Sequence, residues 1–186
     1  MLYGAFPDYI FKNIYDPQLF KSLLLEVFEK DLKFEIDFIK FLDVLKLLAY
    51  QEYMIKTINT ISESIGLNYR TVKKNIEWVE KNVYRKHNLQ SSLYKRKSKF
   101  KVYFIDRGLR NSILTDFFRN IERIIKIDRD FYSSNSEALV LNSLYRILYK
   151  LGIEEPDIRF WLDKNKEIDF YYKSLKLWIE VKYEKK

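Results

Sequence analysis

The sequence predicts a mixed α/β chain: an N-terminal helical connector over residues 1–34, a winged helix-turn-helix over 35–115, and a smaller α/β unit over 116–186. Three observations lead there. Apolar residues recur at helical spacing from Gln18 to Asn82. A basic, strand-like hairpin follows two short helices joined by a Gly-containing turn. Residues 166–182 alternate polar and apolar on either side of Lys173-Ser174, as an antiparallel hairpin does.

The connector carries Tyr3-Gly4-Ala5-Phe6-Pro7 and an amphipathic segment from Gln18 to Lys30, with Leu19, Leu23 and Val27 on one stripe. A second helix is expected over Phe34–Tyr53, where Ile36, Ile39, Leu42, Leu45 and Leu48 form the core side. Ile58–Ile65 reads as a short helix and Gly66-Leu67-Asn68 as the turn; Asn68 or Thr71 caps a helix reaching about Asn82. Val72, Ile76, Val79 and Val83 then face inward and Tyr69, Arg70, Lys73, Lys74, Glu77 and Lys81 outward. A recognition helix has this pattern, and so does a merely solvated one. Val83–Lys86 and Lys99–Ile105 follow as strands, with a basic tip at Lys95, Arg96 and Lys97. Helix-turn-helix plus basic hairpin is a winged helix, whose wing lies along the DNA backbone while the preceding helix enters the major groove. The expected DNA contacts are therefore Tyr69, Arg70, Lys73, Lys74, Arg85, Lys86, Lys95, Arg96, Lys97, Lys99 and Lys101.

Charge agrees with that placement. Between Val83 and Arg110 nine bases face one acid, Asp106, which accounts for the whole formal excess of +8. Localised positive charge is the footprint of a polyanion-binding surface; a solubilising loop is the alternative. Hydrophobic content of 47% with 17% aromatics describes a globular chain. There is no Cys and His87 is the only His, which excludes disulfides, thiolate metal sites and Cys nucleophiles and makes Ser-His-Asp catalysis a poor candidate. No apolar run approaches the roughly 20 residues of a membrane span, and the N-terminus has no signal-peptide pattern, so no membrane partner and a cytoplasmic location are expected.

In the terminal hairpin, a two-residue loop pairs Tyr172 with Leu175 and a four-residue loop pairs Tyr171 with Lys176. Either register sets Asp169 opposite Trp178. Strict alternation puts Ile168, Phe170, Leu177, Ile179 and Val181 on one face, and Glu167, Asp169, Trp178, Glu180 and Lys182 on the other. Asp169 and Glu180 become diagonal neighbours, roughly 7 to 8 Å apart at the backbone. Two such carboxylates suit Mg²⁺ (or Mn²⁺), with open positions for water and a phosphate oxygen. Lys182 would stand beside that water, to orient it or to neutralise charge on phosphorus. A solvated hairpin face carries the same residue types, so the chemical and the bland readings both stand at this level.

These motifs together resemble the C-terminal region of a family of archaeal and bacterial AAA-type ATPases, mostly catalogued as a domain of unknown function. The matching residues are Gly4-Ala-Phe-Pro7, Asn68-Tyr-Arg-Thr-Val72, Lys101-Val-Tyr-Phe-Ile-Asp-Arg-Gly-Leu-Arg110, Ser136-Glu137, Phe160-Trp161, Glu167-Ile-Asp-Phe170 and Ile179-Glu-Val-Lys182, in family order. The resemblance implies that the last part is a restriction-endonuclease-like α/β domain of the PD-(D/E)xK type. It assigns Glu137 as the helix acid, Asp169 and Glu180 as metal-binding acids and Lys182 as the lysine. No Gly-x-x-x-x-Gly-Lys-Ser/Thr loop occurs, so the ATPase domain itself is absent, and an AAA-type ATPase domain or partner chain is an expected partner alongside DNA. The chain stops at Lys186, where that fold adds a helix and a strand, so a truncated sheet is expected.

Glu137 has a local explanation too. Ser134-Asn-Ser-Glu137 reads as a capping box, while Leu141, Leu144, Tyr145, Leu148 and Leu151 on the same stripe aim Glu137 at the sheet. Two functional expectations follow: a DNA-binding protein with a Mg²⁺-dependent nuclease site, or a non-catalytic DNA-binding or docking module of an ATPase. An interaction domain whose basic stretch meets an acidic partner is a third.

Overall fold

The computed structural model describes residues 36–82, 84–90, 99–118, 131–163 and 166–182, together with Ser22, Glu26, Glu29 and Lys30. The connector, apart from those four positions, and the tip residues Lys95, Arg96 and Lys97 lie outside the described residues.

Helix α1 spans Phe38–Tyr50, shorter at both ends than its periodicity suggests. Asp37 fixes its start by accepting from the Ile39 and Lys40 amides at 3.0 and 3.3 Å. Helix α2, Ile58–Ile65, matches its sequence-read bounds: Thr57 and Thr60 form a reciprocal cap, and Gly66 ends it at φ 66°. Helix α3 is Tyr69–Asn82, with Asn68 Oδ1 accepting from the Thr71 amide at 2.9 Å. Between α1 and α2 the chain bridges outward, Lys56 exchanging both backbone hydrogen bonds with Phe100 at 2.9 Å.

Strand β1 (Tyr84–Gln90) and strand β2 (Phe100–Phe104) pair antiparallel from Tyr84↔Phe104 to Asn88↔Phe100. Helix α4 (Arg107–Phe118) is capped by Asp106 Oδ1 on the Leu109 amide at 2.8 Å. The long helix α5 (Phe131–Lys150) leads to β3 (Ile158–Asp163), β4 (Lys166–Tyr172) and β5 (Leu177–Ile179). All five strands form one sheet in the order β2-β1-β3-β4-β5. The hinge of that order is the end of β1, where Leu89 and Gln90 pair in parallel with Phe160 and Trp161.

Strand β2 is buried along its whole length. Phe100, Val102 and Phe104 enter the core built by α1, α2, α3 and α4, around Phe41, Leu45, Leu48, Ile61, Val72, Ile76 and Val79. Tyr103 enters a second core with Ala138, Leu141 and Leu148 of α5 and Ile158, Phe170 and Tyr172 of the sheet. A strand buried on both faces reads as a nearly continuous apolar run, and Phe-Lys-Val-Tyr-Phe is one, with Lys101 as the exception.

The terminal hairpin departs from its expected register. Observed pairs are Phe170↔Ile179, Tyr171↔Trp178 and Tyr172↔Leu177, so Trp178 faces Tyr171 and not Asp169. A 3₁₀ turn over Lys173–Leu175 followed by Lys176 at φ 49° occupies the four connecting positions. A β-bulge also interrupts β3·β4: Arg159 pairs with Tyr171 but Trp161 with Ile168, leaving Asp169 and Phe170 together against Phe160. The extra residue breaks the strict alternation on which the sequence-derived faces depended. The Phe170 ring meets the Tyr103 ring at 5.5 Å, and Asp169 meets Lys101 of the same β2 face.

Candidate functional site

The site forms where β2, α5 and β4 meet. The Tyr103 hydroxyl donates to Glu137 Oε2 at 2.7 Å. The Lys101 ammonium lies 3.8 Å from that oxygen and 3.6 Å from Asp169 Oδ1, and is also in contact with Glu167. It stands 5.7 Å from the centre of the Phe160 ring. One buried cation is thus held by three carboxylates from two elements, an arrangement that offsets the desolvation of each group. Asp169 Oδ2 accepts from the Val181 amide at 2.8 Å, tying the cluster to the segment that carries Glu180 and Lys182.

Helix α5 explains the place of Glu137. It begins at Phe131, so Ser134 lies inside the first turn, fully buried, and is not the N-cap. The capping-box explanation of Glu137 therefore fails. Its carboxyl is turned into the fold, where burial pushes its pKa up to about 7. Asp169 and Glu167 push in the same direction, while Lys101 and the Tyr103 hydrogen bond oppose them. Burial, followed by the charge of Glu137, holds the Tyr103 phenol well above its ordinary value, so its hydroxyl remains a donor.

Glu180 and Lys182 have a different setting. Both are exposed, and they pair with each other at 3.5 Å. Carboxylate oxygens are the right chemistry for Mg²⁺. In this arrangement, however, Oδ1 of Asp169 faces an ammonium, Oδ2 faces an amide and Glu180 faces Lys182. The positive charge beside Asp169 is that of Lys101.

Lys101, one of the bases expected to contact DNA, is 3% exposed. A buried ammonium cannot meet a surface phosphate, so it leaves that set. Two further members of the basic excess, Arg107 and Arg110, are buried as well and converge on Glu52, at 2.5 and 2.7 Å. Glu52 also accepts from the Phe104 amide at 2.7 Å, and Arg107 reaches Asn135 at 2.8 Å. Lys56, donating to the Gln51 carbonyl, is pushed down to about 7 by burial, with Glu52 opposing. Sequence reasoning gave no role to Glu52, Lys56, Tyr103 or Glu167.

Where its side chains are described, the surface of α3 keeps the expected pattern; Lys81 and Val83 lie outside the described side chains. Val72, Ile76 and Val79 are buried, while Tyr69, Arg70, Lys73 and Lys74 are exposed and Lys73 lies 3.7 Å from Glu77. Lys99 is half-buried, and Arg85 and Lys86 lie on β1, whose side chains are outside the described residues. Among the described residues no helix is long and apolar enough to cross a membrane.

No curated protein and no solved structure matches the chain. A family model does match, over residues 1–120, which takes in α1, α2, α3, the β1-β2 hairpin and α4 and stops before the acid cluster is complete. The chain belongs to that family, described as a domain of unknown function (DUF8612).

Proposed function

We propose that this chain is a cytoplasmic DNA-binding module of an AAA-type ATPase system, a winged helix joined to a nuclease-like α/β part whose acid cluster serves phosphodiester cleavage. The order α1, the bridge at Lys56, α2, α3 and the β1-β2 hairpin supports the winged-helix reading. In it α3 presents Tyr69, Arg70, Lys73 and Lys74 to the major groove, and Arg85, Lys86, Lys95, Arg96, Lys97 and Lys99 track the backbone. What carries the catalytic half is the convergence of Glu137 and Asp169, from separate elements, on one buried ammonium. Glu137, near half-protonation at neutral pH, would move a proton at the site, and Lys182 would steady charge on the phosphate. Asp169 with Glu180 would be the residues to hold Mg²⁺ or Mn²⁺, a hard cation that takes carboxylate oxygens and leaves positions for water and phosphate.

The test is cleavage of duplex DNA by the intact chain with Mg²⁺. Asp169→Ala and Lys182→Ala should abolish cutting while DNA affinity survives. A parent that binds but never cuts, or variants that cut as well as the parent, would reject the catalytic half.

One observation favours a non-catalytic reading, in which the chain only binds DNA or docks on an ATPase. Lys101 already neutralises the cluster, as an internal ion pair in a structural core would. Under that reading Lys101→Met lowers stability and leaves every binding property intact.

A further inference from the structure

The side of the terminal sheet away from α5 carries a row of rings. Register aligns Arg159, Tyr171 and Trp178 across three strands. The Tyr171 and Trp178 rings lie 4.1 Å apart, 31° from parallel, and Trp161 meets Trp178 edge-on at 6.0 Å. Trp178 remains 48% exposed. None of the three belongs to the core behind the sheet, which draws on Phe170, Tyr172, Ile179 and Val181 instead. Three large rings on a solvent-facing sheet are costly unless something covers them.

The surrounding charge selects the occupant. Lys173 and Lys176 stand exposed in the turn beside the Tyr171–Trp178 pair, and Lys182 lies four residues past Trp178. Among the acids nearby, Asp157 pairs with Arg159 and Glu180 with Lys182, and Asp163 lies two residues past Trp161, at the end of the row away from the turn lysines. Protein-binding patches are depleted in lysine at their centres. Rings flanked by lysines are instead how sheets take unpaired bases: each base offers a π face, and its phosphate meets an ammonium. A duplex cannot use such a shelf because its base faces are covered by stacking.

We propose that Trp161, Tyr171 and Trp178 form a binding site for unpaired nucleotides, with a base stacked on the exposed face of Trp178 and its phosphates on the turn lysines. The bulge turns Asp169 to the Phe170 side, so a strand laid over the rings lies on the face of the sheet opposite the acid cluster. The site deepens the nucleic-acid reading above by naming a single-stranded or frayed segment as ligand; it does not depend on cleavage.

The experiment titrates the intact chain, in EDTA, with an oligothymidylate of about ten nucleotides, a length within the usual single-strand site sizes, and follows tryptophan fluorescence and anisotropy. Quenching on binding is expected. Trp178→Ala should weaken binding about ten-fold or more, the size of one lost base stack, and Trp178→Phe should restore most of it. Equal affinity of Trp178→Ala and parent overturns the proposal, and so does duplex binding without oligothymidylate binding. Oligothymidylate binding with no duplex binding leaves this site standing and removes the α3 reading. Failure of both ligands removes both.

Discussion

Two buried charge clusters sit within one sheet's width of each other, and they are built on opposite plans. Around Glu52 one acid is surrounded by Arg107, Arg110, Lys56 and the Phe104 amide, all inside the fold. Around Lys101 one base is surrounded by Glu137, Glu167 and Asp169, and Glu167 and Asp169 keep 35% and 14% of their side chains in solvent. The first is sealed, and its guanidiniums are held by the Glu52 carboxylate together with Asn135 and the Ala49 carbonyl, which suits a joint between α1, β2 and α4. The second is open at one edge and crowded with like charge, so its protonation is easily shifted. Excess like charge at an opening is a mark of a chemical site, and a closed, hydrogen-bonded pair is a mark of a structural one.

Mutation should separate the two strongly. Glu52→Ala strands Arg107 and Arg110 in the core, and a loss of about 3–5 kcal/mol in denaturant unfolding is expected. Glu137→Gln keeps an acceptor for Tyr103 and removes a carboxyl already near neutrality, so its cost should stay within about 1 kcal/mol. Equal losses would erase the distinction. A smaller, surface effect tests the remaining bases: replacing Arg70, Lys73 and Lys74 with Gln should weaken duplex binding and relax its sequence preference, whereas replacing Lys95, Arg96 and Lys97 should lower the salt slope by about three, one per phosphate contact. Unchanged affinity and preference in the first variant would show that α3 does not face DNA.

The gentlest probe is pH. Glu137 is raised from 4.5 to about 7, so between those values the folded chain binds more protons than the unfolded one and stability falls as pH rises. Lys56 is lowered from 10.5 to about 7, so above 7 the unfolded chain binds more protons and stability climbs with pH. Each limb has a slope of at most about 1.4 kcal/mol per pH unit. Glu137→Gln should flatten the acid limb alone, and Lys56→Met the alkaline limb alone, in unfolding followed from pH 5 to 10.

The helices were legible because their periodicity and caps are local. Thr57, Gly66 and Asn68 set the bounds of α2 and the start of α3 from within a few residues. The faces of the terminal hairpin were not legible, since alternation holds only while no residue is inserted. The bulge opposite Phe160 turns Asp169 to the side of Phe170, and only the tertiary pairing of β3 with β4 requires it. A charge count, likewise, does not say which bases are internal, and Lys101, Arg107 and Arg110 are buried. Lys101 carried a usable signal nonetheless. A lone lysine amid Phe100, Val102, Tyr103 and Phe104 is on a strand covered on both sides and must find acids indoors. Glu137, with its apolar stripe along α5, was the acid visible from sequence.

The claim on which the comparison depends is that the open cluster holds cations, with Lys101 as the one in residence. Its most direct measurement is the thermal midpoint of Lys101→Met with and without Mn²⁺. The variant should be destabilised, saturating Mn²⁺ should raise it well beyond any shift in the parent, and the rescue should be lost when Asp169→Ala is added. A variant indifferent to Mn²⁺, or one rescued equally with Asp169 removed, would contradict it.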